Sequence, residues 1–315
     1  METIRAVVID PKVAERFVIS RVEAPTPAPS QALVRVKAIS LNLGELRRSM
    51  TAEAGARPGW DFAGTVEKAA ADGSGPRAGT RVVGMLITGA WAEVIAAPTN
   101  AIAAIPDSVS FAQASTLPVA GLTALYALEL NGSILGRSVL ITGASGGVGH
   151  LACQLGRHAG ARVVAVVRRA EREKHARDAG AHQVVVSEDS LPAAKFGPYH
   201  LVLESVGGAS LTAGMSMLAP EGMCVLYGAS AVSETTFDAR AFYLKGGASL
   251  YGFILFHELR RQPASEGLER LARLVADGVL RPQIEVEAPW TEIASVAQRL
   301  YNRGIAGKAV LLFKS

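Results

Sequence analysis

In "VVAVVRRAER" an apolar run ends at Val167 and is followed by Arg168, Arg169 and Arg172. Guanidinium groups in such a cluster bind a multiply charged oxyanion through charge-assisted, often bidentate hydrogen bonds. The residues before them say which oxyanion. "SVLITGASGGVGHLACQLGRHAGARVVAVV" reads as strand, glycine-rich turn, helix and strand. Its turn approximates G-x-G-x-x-G, with Ala144, Gly146 and Gly149 at the three marked places and Ser145, Gly147 and Val148 between them. Gly146 lets backbone approach a pyrophosphate, Gly149 lets the helix pack closely, and the helix N-terminus offers N–H groups and a positive dipole end. A dinucleotide fold that prefers NAD ends its second strand in an acidic residue that takes the ribose 2′-hydroxyl. Here that place falls on Val167 or Arg168, so the expected anion is the 2′-phosphate of NADPH.

The elements that must carry these residues are legible on either side. The first third alternates in short strands: "ALVRVKAIS" puts Val34, Val36 and Ala38 on one face and Arg35 and Lys37 on the other. "FAGTVEKA", "TRVVGML" and "WAEVIAA" follow, separated by Gly, Pro and Asp, which predicts a small, mostly β domain. Beyond residue 108 the texture becomes helical, then alternates strand and helix with near-continuous apolar strands. That pattern demands a doubly wound parallel sheet covered on both faces. The tail from Phe256 holds two amphipathic helices and a last strand, "AVLLF".

Composition narrows the function classes. The 315 residues are 49% hydrophobic and 19% charged, with a net charge of +4, which is globular and lacks the basic stripe of a nucleic-acid binder. Cys153 and Cys224 both lie in apolar segments and read as buried hydrophobes of a reducing compartment. Neither a signal peptide nor a membrane span is apparent, so the expectation is a cytoplasmic protein without nucleic-acid or membrane partners. All six His residues lie at or after His150, so the β-rich front holds neither His nor Cys and no zinc site is expected there.

The ordered set "LNLGELRR", "PGWDFAGTV", "GTRVVGM", "GAWAEVIAAP", "TLPVAGLTALYAL", "ITGASGGVGHLACQ", "AGAHQVV", "LVLESVGG" and "GKAVLLF" covers nearly the whole chain. In this the chain resembles the medium-chain dehydrogenase/reductase superfamily and, within it, the zinc-independent quinone oxidoreductases of the zeta-crystallin type. The resemblance implies a GroES-like catalytic domain from residues 1–108 and 256–315 and a Rossmann cofactor domain over 109–255. It implies an oxidoreductase that moves a hydride from NADPH to a quinone or other α,β-unsaturated carbonyl. The zinc-ligand places of metal-dependent relatives fall on Asn42, Trp60 and about Val119, none a usual ligand.

By the same resemblance, Asn42 matches the Asn of an "N-P-x-D" motif and offers an amide N–H to the oxyanion formed on hydride transfer. Leu43 and Glu45 replace its Pro and Asp; Glu45 either holds the loop, the favoured reading, or sits in the pocket. Trp60 either lines the acceptor mouth or packs beneath the β domain, and Asp61 is expected to be structural. Further cofactor contacts carry over to Leu122, Thr123, Val206, Gly207, Tyr227, Gly228 and Phe253, with Lys308 reaching the pyrophosphate. A Tyr often placed near the 2′-phosphate is Ser187 here. "SLYGFILF" at the sheet edge suggests a homodimer. Two other readings stay open: an enoyl-thioester reductase, and an NADPH-binding sensor or structural protein with little turnover.

Overall fold

A computed structural model describes residues 2–231 and 234–313. The chain forms two compact units, Met1–Leu122 with Leu259–Ser315, and Thr123–Glu258.

The first unit begins with a two-stranded antiparallel ribbon, β1 (Thr3–Ile9) and β2 (Phe17–Glu23). The long β3 (Gln31–Leu41) follows, buried on alternate residues from Ala32 to Ala38 as its pattern predicts, with Arg35 exposed. A short helix, α1 (Leu43–Ser49), then leads to β4 (Asp61–Lys68), β5 (Arg81–Met85), β6 (Val94–Pro98) and β7 (Ile102–Ala104). Next come α2 (Phe111–Ser115), a π turn at Leu117–Gly121 and α3 (Leu122–Glu129). α2 packs on β3 and β4, and the π turn on β4 and β5. The unit boundary therefore falls after Leu122 rather than at residue 108: composition turns helical before the chain has left the first core.

The second unit runs β8 (Ser138–Ile141), α4 (Gly147–His158), β9 (Arg162–Val167), α5 (Glu173–Asp178), β10 (Gln183–Val186), β11 (Tyr199–Glu204), α6 (Gly208–Ser216), β12 (Leu218–Leu226), α7 (Ala239–Tyr243), β13 (Ser249–Gly252) and α8 (Leu255–Glu258). Its sheet is wholly parallel in the order β10-β9-β8-β11-β12-β13. Numbered from its own first strand, that is 3-2-1-4-5-6, the doubly wound dinucleotide order. Val164, Val166, Val202, Leu211 and Cys224 belong to one of its buried cores. Burial pushes the Cys153 thiol up to about 12 and raises that of Cys224. The segment "AEREKHARDAG" after β9 forms a 3₁₀ turn, Ala170–Arg172, followed by α5.

The chain then returns to the first unit with α9 (Ala264–Ala276), β14 (Ile284–Pro289), α10 (Ile293–Tyr301) and β15 (Lys308–Leu312). β15 pairs antiparallel with β3, so the larger sheet runs β14-β15-β3-β4-β5-β7, with β6 also on β3. Among the described residues no helix is long and apolar enough to cross a membrane.

Candidate functional site

The second unit presents a dinucleotide-type turn. β8 and β11 are neighbours in the sheet, and the strand order reverses between them, so their carboxyl ends flank the switch point where ligands bind in open α/β sheets. Thr142 N–H donates to Leu203 O at 3.0 Å, and Ser205 N–H donates to Thr142 Oγ1 at 3.0 Å. Gly143 turns the chain there with φ +58°, and a Cβ on it would lie 2.5 Å from Ser205 Oγ. This residue escaped the motif reading, which assigned the first marked place to Ala144. Ala144 is fully buried, and its N–H donates to Val166 O at 3.1 Å.

Gly146 is the exposed N-cap of α4 and has extended backbone; a Cβ there would make one tight contact, 3.3 Å from Gly143 O. Gly149 has none: a Cβ there would meet Gly143 O at 2.5 Å and Ala144 Cα at 2.7 Å. The close approach expected at Gly149 is thus real, but it is to the turn itself, not to the sheet. Ser145, Gly147 and Val148 are partly exposed around this helix end, so Val148 does not complete the buried stripe of Leu151, Ala152 and Leu155. An open helix N-terminus behind a tight turn suits a pyrophosphate.

At the end of β9, Arg168 and Arg169 are exposed, and Arg169 Nη1 lies 3.8 Å from Glu171 Oε1. Arg172 is half-buried, and its N–H donates to Arg169 O at 3.0 Å, so Arg169 and Arg172 close one turn with Arg168 immediately before it. Ser187 N–H donates to Val167 O at 2.9 Å, which puts Ser187 beside the strand end.

Glu204 bears on two expected contacts. Its carboxylate is buried at the end of β11; Oε1 accepts the N–H groups of Val206 at 2.5 Å and Gly207 at 3.0 Å, and Oε2 accepts Ser210 Oγ–H at 3.0 Å. The Val206 and Gly207 N–H groups are therefore already donated to Glu204. Burial raises the Glu204 carboxyl, and these donors oppose it. No motif flags the residue: a glutamate inside the apolar "LVLESV" is its only signal. Leu122 and Phe253 are buried side chains, Thr123 is also buried, and Tyr227 and Gly228 are partly exposed. Burial raises the Tyr227 phenol.

In the first unit a polar cluster gathers Asn42, Glu45, Asp61 and Lys308. Asn42 Nδ2 donates to Asp61 Oδ2 at 2.8 Å and to Glu45 Oε1 at 3.1 Å, while its Oδ1 accepts from Lys308 Nζ at 2.5 Å. Lys308 Nζ also donates to Leu41 O at 3.1 Å and lies 3.5 Å from Asp61 Oδ2. Glu45 Oε1 accepts Asn42 N–H at 2.7 Å, and Glu45 Oε2 accepts Trp60 N–H at 2.8 Å. Asp61 Oδ1 accepts Val119 N–H at 3.0 Å. Glu45 and Asp61 are thus the loop-holding residues expected, tying α1, β4 and the π turn together.

Two expectations change here. Both Asn42 amide hydrogens are already donated to carboxylates, so neither is aimed at an acceptor oxyanion. Lys308 is 4% exposed, with its ammonium turned into the cluster, so it is not a free cation for a pyrophosphate. Burial and neighbouring Asp61 hold the Glu45 carboxyl well above its ordinary range. Burial raises Asp61 and lowers Lys308, each opposed by the other's charge. Trp60 is half-buried, and its ring covers Gly44, where a Cβ would meet it at 3.2 Å. Among the described residues no three His, Cys, Asp or Glu are grouped to hold a metal.

Two family models match the chain: the alcohol dehydrogenase GroES-like domain over residues 28–107 and the zinc-binding dehydrogenase over 147–273. The chain is 30% identical over 302 residues to the mycocerosic acid synthase-like polyketide synthase of Mycobacterium tuberculosis, covering 90% of this chain and 14% of that far longer protein. It is 27% identical over 307 residues to the quinone oxidoreductase of Homo sapiens, covering 93% and 92% of the two chains. A mycobacterial structure solved with NADPH superposes at TM-score 0.86 with 27% identity, covering 98% of this chain and all of that one. With both domain models, the doubly wound order and the quinone oxidoreductase relatives in agreement, the chain belongs to the quinone oxidoreductase-like family of the medium-chain dehydrogenase/reductase superfamily.

Proposed function

We propose that this oxidoreductase binds NADPH and reduces a quinone or another α,β-unsaturated carbonyl without zinc. The observation that carries the reading is the open N-terminus of α4 behind the Gly143–Gly149 turn, with Arg168, Arg169 and Arg172 gathered beyond β9. The turn suits the pyrophosphate, and the arginines suit a 2′-phosphate that an acidic residue would repel. When bound, the reduced nicotinamide supplies the hydride. The chain's part is to bind and orient. Ser145, Gly146 and Gly147 offer backbone at the helix end; Trp60 offers an aromatic wall to a flat acceptor. Glu45 and Asp61 hold the Asn42 loop, which makes Asn42 a positioning residue in this arrangement. Zinc independence is supported by Asn42, Trp60 and Val119 at the family's ligand places, since none offers a usual zinc donor.

Initial rates of NADPH and NADH oxidation against quinones, enones and enoyl thioesters test the reading. Saturable NADPH-dependent rates with quinones or enones support it. The polyketide synthase match favours a second reading, reduction of enoyl thioesters, and rates confined to thioesters would select that one. Tight NADPH binding with no rate on any acceptor would select a sensor or structural role. A homodimer is proposed on the outermost strand β13, where Leu250 and the following Ile254 are exposed; sedimentation checks it. A cytoplasmic location is part of the same proposal.

A further inference from the structure

Among the described residues, the half-buried Arg57 has no ion-pair partner. It lies three residues before Trp60. Its Nε is buried and meets no hydrogen-bond partner among the described residues. Burial alone lowers its proton affinity, with no carboxylate opposing the effect. Buried donors are almost always satisfied, so a dry guanidinium nitrogen with none calls for an explanation.

The backbone around it is fixed. Arg57 O accepts from Thr88 Oγ1, Pro58 O from Trp91 N–H at 3.4 Å, Gly59 O from Ala90 N–H at 3.1 Å and Trp60 O from Leu86 N–H at 2.9 Å. Segments 57–60 and 86–91 therefore run antiparallel as one rigid frame. That frame carries the half-buried Trp60 ring and, on Ile87, a side chain 65% exposed. An aromatic plane, an exposed aliphatic group and an unpaired guanidinium on one frame suit a ligand with a flat apolar body and an anionic end. A surface arginine whose stem alone was covered would keep Nε in contact with water.

We propose that Arg57 recognises an anionic group on the acceptor, and that the preferred acceptor is an unsaturated ketone bearing a carboxylate. This rests on the reading of Trp60 as a wall of the acceptor site. The reaction balances in the ordinary way. Hydride from NADPH adds to the alkene carbon β to the ketone, the alkene electron pair moves to the enolate oxygen, and a proton from water reaches the α carbon. NADPH becomes NADP⁺, and the carboxylate is unchanged.

A matched pair tests this: trans-4-oxo-2-pentenoate and 3-penten-2-one, which differ only in carboxylate against methyl. Wild type is expected to favour the carboxylate by kcat/KM. In Arg57→Gln the ratio of the two kcat/KM values should fall about ten- to a hundredfold, the weight of a charge-assisted hydrogen bond. Arg57→Lys should restore part of it. An unchanged ratio overturns the proposal. Calorimetry of wild type with unreactive 4-oxopentanoate and 2-pentanone separates it from the reductase reading. Preferential binding of 4-oxopentanoate, lost in Arg57→Gln, supports the anion site even if neither enone is reduced. Equal binding of the two overturns it, whatever the rates.

Discussion

Asn42 and Lys308 lie 266 residues apart in sequence, yet the amide oxygen of one accepts from the ammonium of the other at 2.5 Å. The contact orients the whole amide. With Oδ1 on a cation and Nδ2 between two carboxylates, only one rotamer of the amide is satisfied.

Asn42→Ala should therefore act mainly on stability. It leaves Lys308, Glu45 and Asp61 each short of a charge-assisted bond, and bonds of that kind contribute about 1.5–3 kcal/mol. Thermal unfolding of the variant is expected to shift down accordingly. A large fall in kcat with no loss of stability would return Asn42 to the role of oxyanion donor.

Lys308→Met should cost about 3–5 kcal/mol at neutral pH, because two buried carboxylates lose their cation. The pH dependence has a definite sign. The folded pKa values of Glu45 and Asp61 are raised. The stability they contribute is complete below the ordinary carboxylate range near ~4 and is lost as pH rises through the raised values. Lys308 has a lowered folded pKa, so its own contribution runs the other way at higher pH. Removing it raises the carboxyls further. Urea midpoints of Lys308→Met should lie closer to wild type at acidic than at alkaline pH.

Arg168→Ala with Arg169→Ala should weaken NADPH about ten- to a hundredfold while moving NADH far less. The range is kept below the full value of two charge-assisted bonds because both side chains are exposed. Fluorescence titration of the two cofactors measures it, and equal losses would show that the arginines do not read the 2′-phosphate.

Gly149→Ala and Gly146→Ala should behave differently although they belong to one motif. A methyl at 149 meets backbone at 2.5 Å and should cost about 1–3 kcal/mol of stability. A methyl at 146 meets Gly143 O at 3.3 Å, a contact that a shift of a few tenths of an ångström relieves, so it should lower the melting temperature less than the change at 149, while weakening NADPH. Paired melting and titration curves check both.

Glu204→Ala should destabilise by about 1.5–3 kcal/mol, since Val206, Gly207 and Ser210 lose one shared acceptor. Glu204→Gln, which keeps an acceptor oxygen, should lose less by thermal unfolding.

The sequence made the second unit legible because its strands are buried on both faces and its helix ends are marked by glycine: α4 and β9 have the bounds their residues announce. The first unit was harder to read. The ribbon of β1 and β2 and the short α1 carry weak periodicity, and the unit boundary at Leu122 depends on where α2 packs. Site residues divide in the same way. Arginines at a strand end announce themselves through local charge. The use of Asn42's hydrogens depends on Asp61 and Lys308, which only the folded sheet brings together, and Glu204 lies in a run whose apolar neighbours disguise it.

The pairing of β15 with β3 also sets an order of events during synthesis. Asn42 leaves the ribosome long before Lys308: at 5–20 residues per second their separation amounts to roughly 10–50 s. Through that interval the nascent first unit lacks both an interior strand of its larger sheet and the only cation of its buried cluster among the described residues, while the complete sequence of the second unit is made in between. The cofactor-type unit is therefore the first that can finish folding. The earlier-made unit cannot complete its larger sheet or its buried polar cluster until its own last strand arrives.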